Sequence, residues 1–492
     1  MSSLLAHPDR LFIGGVWTWP VAEETAVVIR PDTEEPYLRV ALAGRGDVAA
    51  AVGAARQAFD EGPWPRLSPQ RRGEYVKALA GELRARSADL ATLWASQVGV
   101  LHSVATAAMP SVADVFELYA GLPERFPLVE RRPTKFPRRV GLLAREPVGV
   151  VAAIIPWNGP ADIIAYKLAP ALIAGCTVVL KASVEAPGEA YVFAEAAEAA
   201  GLPPGVVNVV TADREVSESL VRDPRVDKVS FTGSTAAGRR IAALCADRIA
   251  RVTLELGGKS AAVILDDYDL GTAAKALAKA QCFLSGQACA ALTRIVVPAG
   301  RHDEFVEALA AEYGGMRVGS QFDPASRMGP LATRVQRDRV ERYIAAGRAE
   351  GAVVATGGGR PADLDTGFFV EPTVFARADN AMTVAREEIF GPVLTVVPAA
   401  DEADAVRIAN DSDFGLNAAV FTTDADRAYR VARELRAGTV GHNGMRVDYG
   451  IAFGGFKQSG IGREGGVEGL LPYLETKTIV LDDDPVLENH GA

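Results

Sequence analysis

Cysteine is scarce in this chain: four among 492 residues, Cys176, Cys245, Cys282 and Cys289. Four are too few for a disulfide framework, and no C-x-x-C pair or Cys/His cluster offers a zinc pattern, so a reduced compartment and no metal site are expected. Long hydrophobic runs are missing as well. The most apolar stretch, VGVVAAIIP, is about half the length needed to span a bilayer. The start, MSSLLAHPDRLFIGG, lacks the basic segment and apolar run of a signal peptide. Nor is there an excess of positive charge. Lysine plus arginine is 52 against 62 acids, a net charge of −10, which repels nucleic acid and anionic membranes. Repeats of 20 to 50 residues and low-complexity tracts are absent too. These absences leave a soluble, cytoplasmic protein and say nothing positive about a substrate.

What is present is a large core and an alternating pattern. Hydrophobic residues make up 49% and charged ones 23%, and the length suits two or three domains. RGDVAAAVGAARQAFDEG reads as a helix capped by Asp47, and PQRRGEYVKALAGELRARSADLATLWASQVG as a helical pair. From about 140 to 255 strands alternate with helices: RRVGLLAREPVGVVAAIIPWN with Pro147 between two β-rich runs, the helix ADIIAYKLAPALIAG, the strand CTVVLKAS, the helix PGEAYVFAEAAEAAG, the strand GVVNVVTA, the helix fragment SESLVRDP, and VDKVSFTGS running into TAAGRRIAALCAD. That alternation predicts a parallel sheet covered on both faces, a doubly wound nucleotide-binding unit. A second α/β half follows from about 256. The tail PYLETKTIVLDDD and the run LVERRPTKFPRRVGLLARE predict β structure that either pairs within the chain or offers an edge to another subunit.

Four local patterns carry chemistry. In VSFTGSTAAG a helix opens beside Ser234, with free N–H groups suited to a phosphate, although Gly233 and Gly238 do not make a G-x-G-x-x-G fingerprint. In IIPWNGP, Asn158 falls at the carboxyl end of a strand, where its amide suits either an oxyanion or its own turn. In TLELGGKS, Glu255 ends an apolar strand, a setting that raises a carboxyl pKa and suits a general base, unless the residue is a solvated loop glutamate. In FLSGQACAALTR, Cys289 sits among small residues after Gly286, sterically open rather than packed in an apolar run. The other three cysteines read as inert core residues.

Taken in order, PWN (156–158), KAS (181–183), FTGS (231–234), ELGGKS (255–260), GQAC (286–289), EEIFGP (387–392) and FGGFKQSGIGRE (453–464) resemble the NAD(P)-dependent aldehyde dehydrogenase superfamily, of the hydrolytic, non-CoA-acylating type. The resemblance runs from about residue 10 to 480. It implies an α/β fold with two doubly wound α/β domains and a small β oligomerisation element. The cofactor domain would be 1–127 and 150–255, the oligomerisation element 128–149 and 475–492, and the catalytic domain 256–474. It implies Cys289 as nucleophile, Asn158 as oxyanion donor with the Cys289 N–H, and Glu255 as the base that activates water against a thioester. NAD, or NADP, would be held by Ile155, Trp157, Lys181, Val184, Gly233, Ser234, Leu256, Gly257, Glu388 and Phe390. The substrate pocket would hold Gly159, Asp162, Tyr166, Phe283, Ala288, Ala290, Met445, Tyr449 and Phe453, which suits a medium-sized apolar or aromatic aldehyde. The partners implied are that aldehyde and copies of the chain itself, as homodimer or homotetramer.

The chain departs from the family pattern in three places. Val184 stands where many members have a glutamate that grips the cofactor ribose, with Glu185 following it. Leu284 stands where an asparagine is usual, and Ser217 where a glycine is common. Asp162 is unexpected for an apolar pocket. It meets a cationic or hydroxylated substrate, or bonds within its helix, the latter being the plainer expectation. Arg446 binds a carboxylate or simply lies on the loop surface. Rival readings are a CoA-acylating dehydrogenase, which Glu255 argues against; a cysteine thioesterase, which leaves the cofactor positions without a purpose; and a silent homologue, which has no need of both Cys289 and Glu255.

Overall fold

A computed structural model describes residues 4–485. Its first sheet has eight strands. Five are parallel, in the spatial order Val207–Thr211, Thr177–Ala182, Val150–Ile154, Lys228–Thr232, Arg251–Glu255. The chain order reverses between Val150–Ile154 and Lys228–Thr232, and ligands bind open α/β sheets at the carboxyl ends beside such a reversal. PWNG, KASVE, FTGS and ELGGK all leave the sheet at those ends. Antiparallel strands close both sides: Leu11–Ile13 beside Val207–Thr211, and Gly460–Ile461 beside Arg251–Glu255. Along Val150–Ile154, Val151 and Ala153 join one buried cluster while Val150, Ala152 and Ile154 join the other. Successive side chains point to opposite faces, so a strand that is apolar throughout requires cover on both.

The second sheet has seven strands, six of them parallel, with Val353–Thr356 antiparallel at one edge. It too is covered on both faces. Between its strands Ala261–Ile264 and Arg294–Pro298 runs the helix Leu270–Cys282, which ends in the segment carrying Cys289. A third sheet joins Val129–Arg132, Val140–Pro147 and Leu474–Leu481, with the middle strand central. The tail pairs antiparallel with it from Leu474 opposite Pro147 to Leu481 opposite Val140. Hairpin and tail thus pair within one chain. The outer edge of Leu474–Leu481 takes no strand among the described residues. The part of the expected oligomerisation element beyond 485 lies outside the described residues.

Two expectations change in detail. The helix Arg45–Asp60 is capped by Gly44, not Asp47. Asp47 stands one turn in and accepts from Gly44 N at 2.8 Å, closing the first turn from inside. The segment after 455 does not stay with the second sheet. Gly460–Ile461 returns to the first, and Glu464 reaches the helix Pro160–Ala174. This return places FGGFKQSGIGRE between the two sheets.

Candidate active site

Cys289 lies on a segment whose backbone turns through three successive left-handed residues: Leu284 (φ 54°), Ser285 (φ 52°) and Gly286 (φ 74°). For the two non-glycine residues this costs about 1–2 kcal/mol each. The surroundings hold the turn in place. Ser285 Oγ donates to Gly329 O at 2.8 Å, the Gln287 amide donates to Leu284 O at 3.0 Å, and Ala332 N donates to Gln287 Oε1 at 2.9 Å. At Gly286 a Cβ would lie 2.2 Å from Gly391 O, so only glycine fits. The usual asparagine at position 284 thus has a reason: short amides tolerate left-handed backbone.

Asn158 meets this segment from the first sheet. Its Nδ2 donates to Gln287 O at 3.0 Å, and its carbonyl accepts from Trp94 Nε1 at 2.9 Å. Its amide therefore bonds the nucleophile's loop rather than its own turn, and one N–H remains.

Glu255 is 3% exposed. Neither carboxylate oxygen has a hydrogen-bond partner. Burial raises its pKa well above the ordinary range and the nearby Glu464 carboxylate adds to this, with Lys167 and Arg463 opposing. It is not a solvated loop glutamate. At Gly454 (φ 153°) a Cβ would lie 2.6 Å from Glu255 Oε1, so the glycine makes room for the acid. Glu388 is fixed instead: Gly258 N donates to its Oε1 at 2.9 Å. A Cβ on Gly257 would lie 2.4 Å from its other oxygen. Burial pushes the Cys289 thiol up to about 12, and the carboxylates of Glu388 and Glu255 reinforce the shift. Cys289 as a residue keeps some exposure, whereas Cys176, Cys245 and Cys282 are buried.

The expected pocket divides. Ala290 and Phe453 form a small apolar cluster, with Cys289, Val447 and Tyr449 packed against it. Tyr449 tilts over Phe453 at 4.7 Å between ring centres and stacks on Tyr166 at 3.9 Å. Phe283 and Ala288 line the side nearer Trp94. Gly159 opens the helix Pro160–Ala174, and a Cβ there would meet nothing within 4 Å. Met445 is set apart, since it packs on the core of the second sheet. Arg446 is exposed and makes no ion pair, as a loop-surface residue does. Asp162 makes no bond within its helix, contrary to the plainer expectation.

Sequence reading missed four residues: Trp94, Gln287, Lys167 and Glu464. Lys167 Nζ and Glu464 Oε1 are 2.5 Å apart, with side chains 0% and 5% exposed. Lys167 had a signal, as the lone lysine in a helix that is apolar apart from Asp162 and Tyr166 near its start.

Residues 17–479 match the aldehyde dehydrogenase family. The chain belongs to that family. It is 44% identical over 474 residues to a geranial dehydrogenase of Castellaniella defragrans, covering 96% of this chain and 98% of that one. In structure it resembles a Mycobacterium tuberculosis aldehyde dehydrogenase complexed with NAD+ (TM-score 0.94, 42% identity, 96% and 98% covered). It also resembles a Staphylococcus aureus betaine aldehyde dehydrogenase in complex with NAD+ (TM-score 0.95, 36% identity, 98% and 96% covered).

The family uses NAD(P), and the residues present fit a dinucleotide. A cleft of about 230 Å³ at the strand ends is lined by Ile154, Lys181, Ser183, Val184, Glu185, Phe231, Ile241 and Leu244 among others. It has apolar walls for a base and polar groups for a ribose. Burial lowers Lys181 to about 8, with Glu185 and Asp213 opposing. Ser234 caps the helix Thr235–Ala246, its Oγ accepting from Ala237 N at 3.3 Å. Gly233 N donates to Glu255 O at 3.0 Å, and Leu256 N to Ser459 O at 2.9 Å. These bonds tie the turn at Gly233 and Ser234 to Glu255, and the residue after Glu255 to Ser459. Ile155 N donates to Lys181 O at 3.2 Å. Trp157 and Phe390 meet edge to face at 5.5 Å. Glu388, which bears on Cys289, lies against bare Gly257.

Proposed function

We propose that this chain oxidises an aldehyde to the carboxylic acid through covalent attachment to Cys289, with NAD as acceptor. One observation carries the reading: a partly exposed cysteine just after an enforced left-handed turn, with a buried carboxylate that has no hydrogen-bond partner bearing on it. The thiol loses its proton to water, and the thiolate attacks the carbonyl carbon to give a thiohemiacetal oxyanion. The resulting oxyanion is held by the free N–H of Asn158 and the Cys289 N–H, and each such donor is worth about 10² to 10³ in rate. A nicotinamide held beside Glu388 and Phe390 would supply a hydride acceptor, and loss of hydride from the oxyanion adduct leaves a thioester on Cys289. Glu255 takes a proton from water, which attacks the thioester and releases the acid. Its lack of partners leaves both oxygens free for that water, and its raised pKa makes it a stronger base once ionised. Lys181, Ser234, Glu388 and Phe390 hold and orient the cofactor. The Tyr166, Tyr449 and Phe453 rings favour an aldehyde with an apolar or aromatic body.

The first sheet with its helices serves as cofactor domain and the second as catalytic domain. The three-stranded sheet, with its unpaired outer strand, supports self-association as a dimer or tetramer. The decisive experiment follows NADH absorbance with a panel of aldehydes and repeats it with NADP. If no aldehyde reduces either cofactor while the thiol still reacts with iodoacetamide, the reading fails.

A further inference from the structure

The aromatic wall beside Cys289 leads to an acid that the chemistry above does not use. Asp162 lies in the first turn of the helix Pro160–Ala174, four residues after Asn158 and four before Tyr166. Residues four apart share a helix face, so Asp162 stands one turn beyond the Tyr166 ring. That ring stacks on Tyr449, which packs with Phe453 and Cys289. The helix start has space beside it, for a Cβ at Gly159 would meet nothing within 4 Å.

Apart from Glu255, whose two oxygens face the cysteine site without partners, several acids of the interior take partners. Asp32 is bonded by Arg30, Ser320 and Gln321, Asp47 by two backbone N–H groups, Glu189 by Gln97, and Glu464 by Lys167. Asp162 takes none. It is only partly buried, yet burial alone lifts it to about 6, with no cation near enough to pull it back. At neutral pH it therefore carries a charge that nothing in the chain neutralises. The surroundings have the same sign. Asp162, Asp448, Glu464 and Asp114 all bear on the Tyr166 hydroxyl. Of these, Glu464 is paired with Lys167 and Asp114 with Arg84. Asp448 accepts only from Gly450 N.

We propose that Asp162 receives a protonated amine carried by the aldehyde at the end remote from its carbonyl. This rests on the reading of the site as an aldehyde-oxidising one. An unpaired carboxylate offers acceptor sites only, and a charge-assisted N–H donor is its strongest partner. The neighbouring tyrosine faces favour a cation as well. The residue would set substrate choice rather than take part in bond making.

The test uses matched substrates: ω-aminoaldehydes of increasing length against straight-chain aldehydes in which a methyl replaces the ammonium. kcat/KM is measured for each in the native protein, Asp162→Asn and Asp162→Glu. The expected result is a preference for the amine at one chain length. That preference should fall at least about tenfold in Asp162→Asn, mostly through KM, and be partly kept in Asp162→Glu. A ratio unchanged in Asp162→Asn overturns the proposal, as does a native preference for the methyl compound at every length. Equilibrium binding of the unreactive ω-aminoalcohols and their alkanol counterparts reads the same subsite without turnover. If no aldehyde is oxidised but amine binding still depends on Asp162, the oxidation reading falls and this one stands. If aldehydes are oxidised and neither measurement depends on Asp162, this one falls alone.

Discussion

Two glutamates bear on Cys289, one from each sheet, and they are kept in opposite ways. Glu255 ends a strand of the first sheet, and both its oxygens are without partners. Glu388 precedes a strand of the second sheet, and its oxygen is fixed by Gly258 N. Each has a glycine that makes room for it, Gly454 for Glu255 and Gly257 for Glu388. Burial raises both. The difference lies in the hydrogen bond. A carboxylate that accepts a backbone N–H is oriented and stabilised as an anion, which suits holding a ribose. One with no donor is costly to ionise and free to move, which suits proton transfer. On the proposed reading, two residues of the same type would take different roles because one backbone amide is present or absent.

The harshest way to break this comparison is to remove what both acids face. Cys289→Ala should lower aldehyde oxidation by more than about a hundredfold while cofactor binding stays close to native, as judged by fluorescence titration. Retained turnover would show that neither glutamate serves covalent chemistry.

The glutamates should then separate under the same conservative change. In Glu255→Gln the first turnover should survive as a burst of about one NADH per site, with the steady rate down at least about a hundredfold. In Glu388→Gln no burst should precede a steady rate lowered about tenfold, and the cofactor KM should rise. If both variants behave alike, the hydrogen bond does not divide their roles. If Glu255→Gln loses the burst itself, Glu255 is required to activate the thiol.

How much of this was legible in the sequence follows from what each feature depends on. The parallel sheets were, because Val150–Ile154 and its neighbours are apolar throughout and need cover on both faces. Asn158 and Glu255 stood at strand ends, where position left each a plainer reading and only the family resemblance favoured an oxyanion donor and a base. The left-handed turn at Leu284 and Ser285 was not legible, since neither residue favours that backbone and only tertiary bonds hold it. The Lys167–Glu464 pair joins positions 297 residues apart, and no local pattern connects them. Asp162 was noticed as unusual, but the absence of a partner is a property of the folded surroundings.

That buried pair allows the Glu255 environment to be adjusted. Glu464 raises the Glu255 pKa, while Lys167 lowers it. In Glu464→Gln the raising charge is gone and Lys167 remains, so the Glu255 pKa should fall. Its ionised form does the work, so thioester hydrolysis rises as pH climbs through that pKa. The acid limb should therefore move to lower pH, by about half a unit to one unit. A cost of about 3 kcal/mol or more in stability is expected from leaving Lys167 unpaired, measurable by urea unfolding. An acid limb that stays in place, or moves up, would show that Glu464 does not act on the base.

The smallest effect concerns the cofactor end, far from both glutamates. Val184 removes the acid that elsewhere in the family grips the ribose, and a missing like charge weakens rejection of a 2′-phosphate. Glu185 partly compensates. It lines the same cleft, and Ser183 donates a hydrogen bond to it. It also acts on Lys181, a positive group of the same cleft. The sum is a weak preference for NAD, by about 1–2 kcal/mol or roughly 5- to 30-fold in kcat/KM. Val184→Glu should widen that ratio, while Glu185→Ala should narrow or reverse it. A native enzyme that already rejects NADP by more than about a thousandfold would show that another group excludes the phosphate. If Glu185→Ala left the ratio unchanged, its bond to Ser183 would be holding the carboxylate away from the ribose rather than toward it.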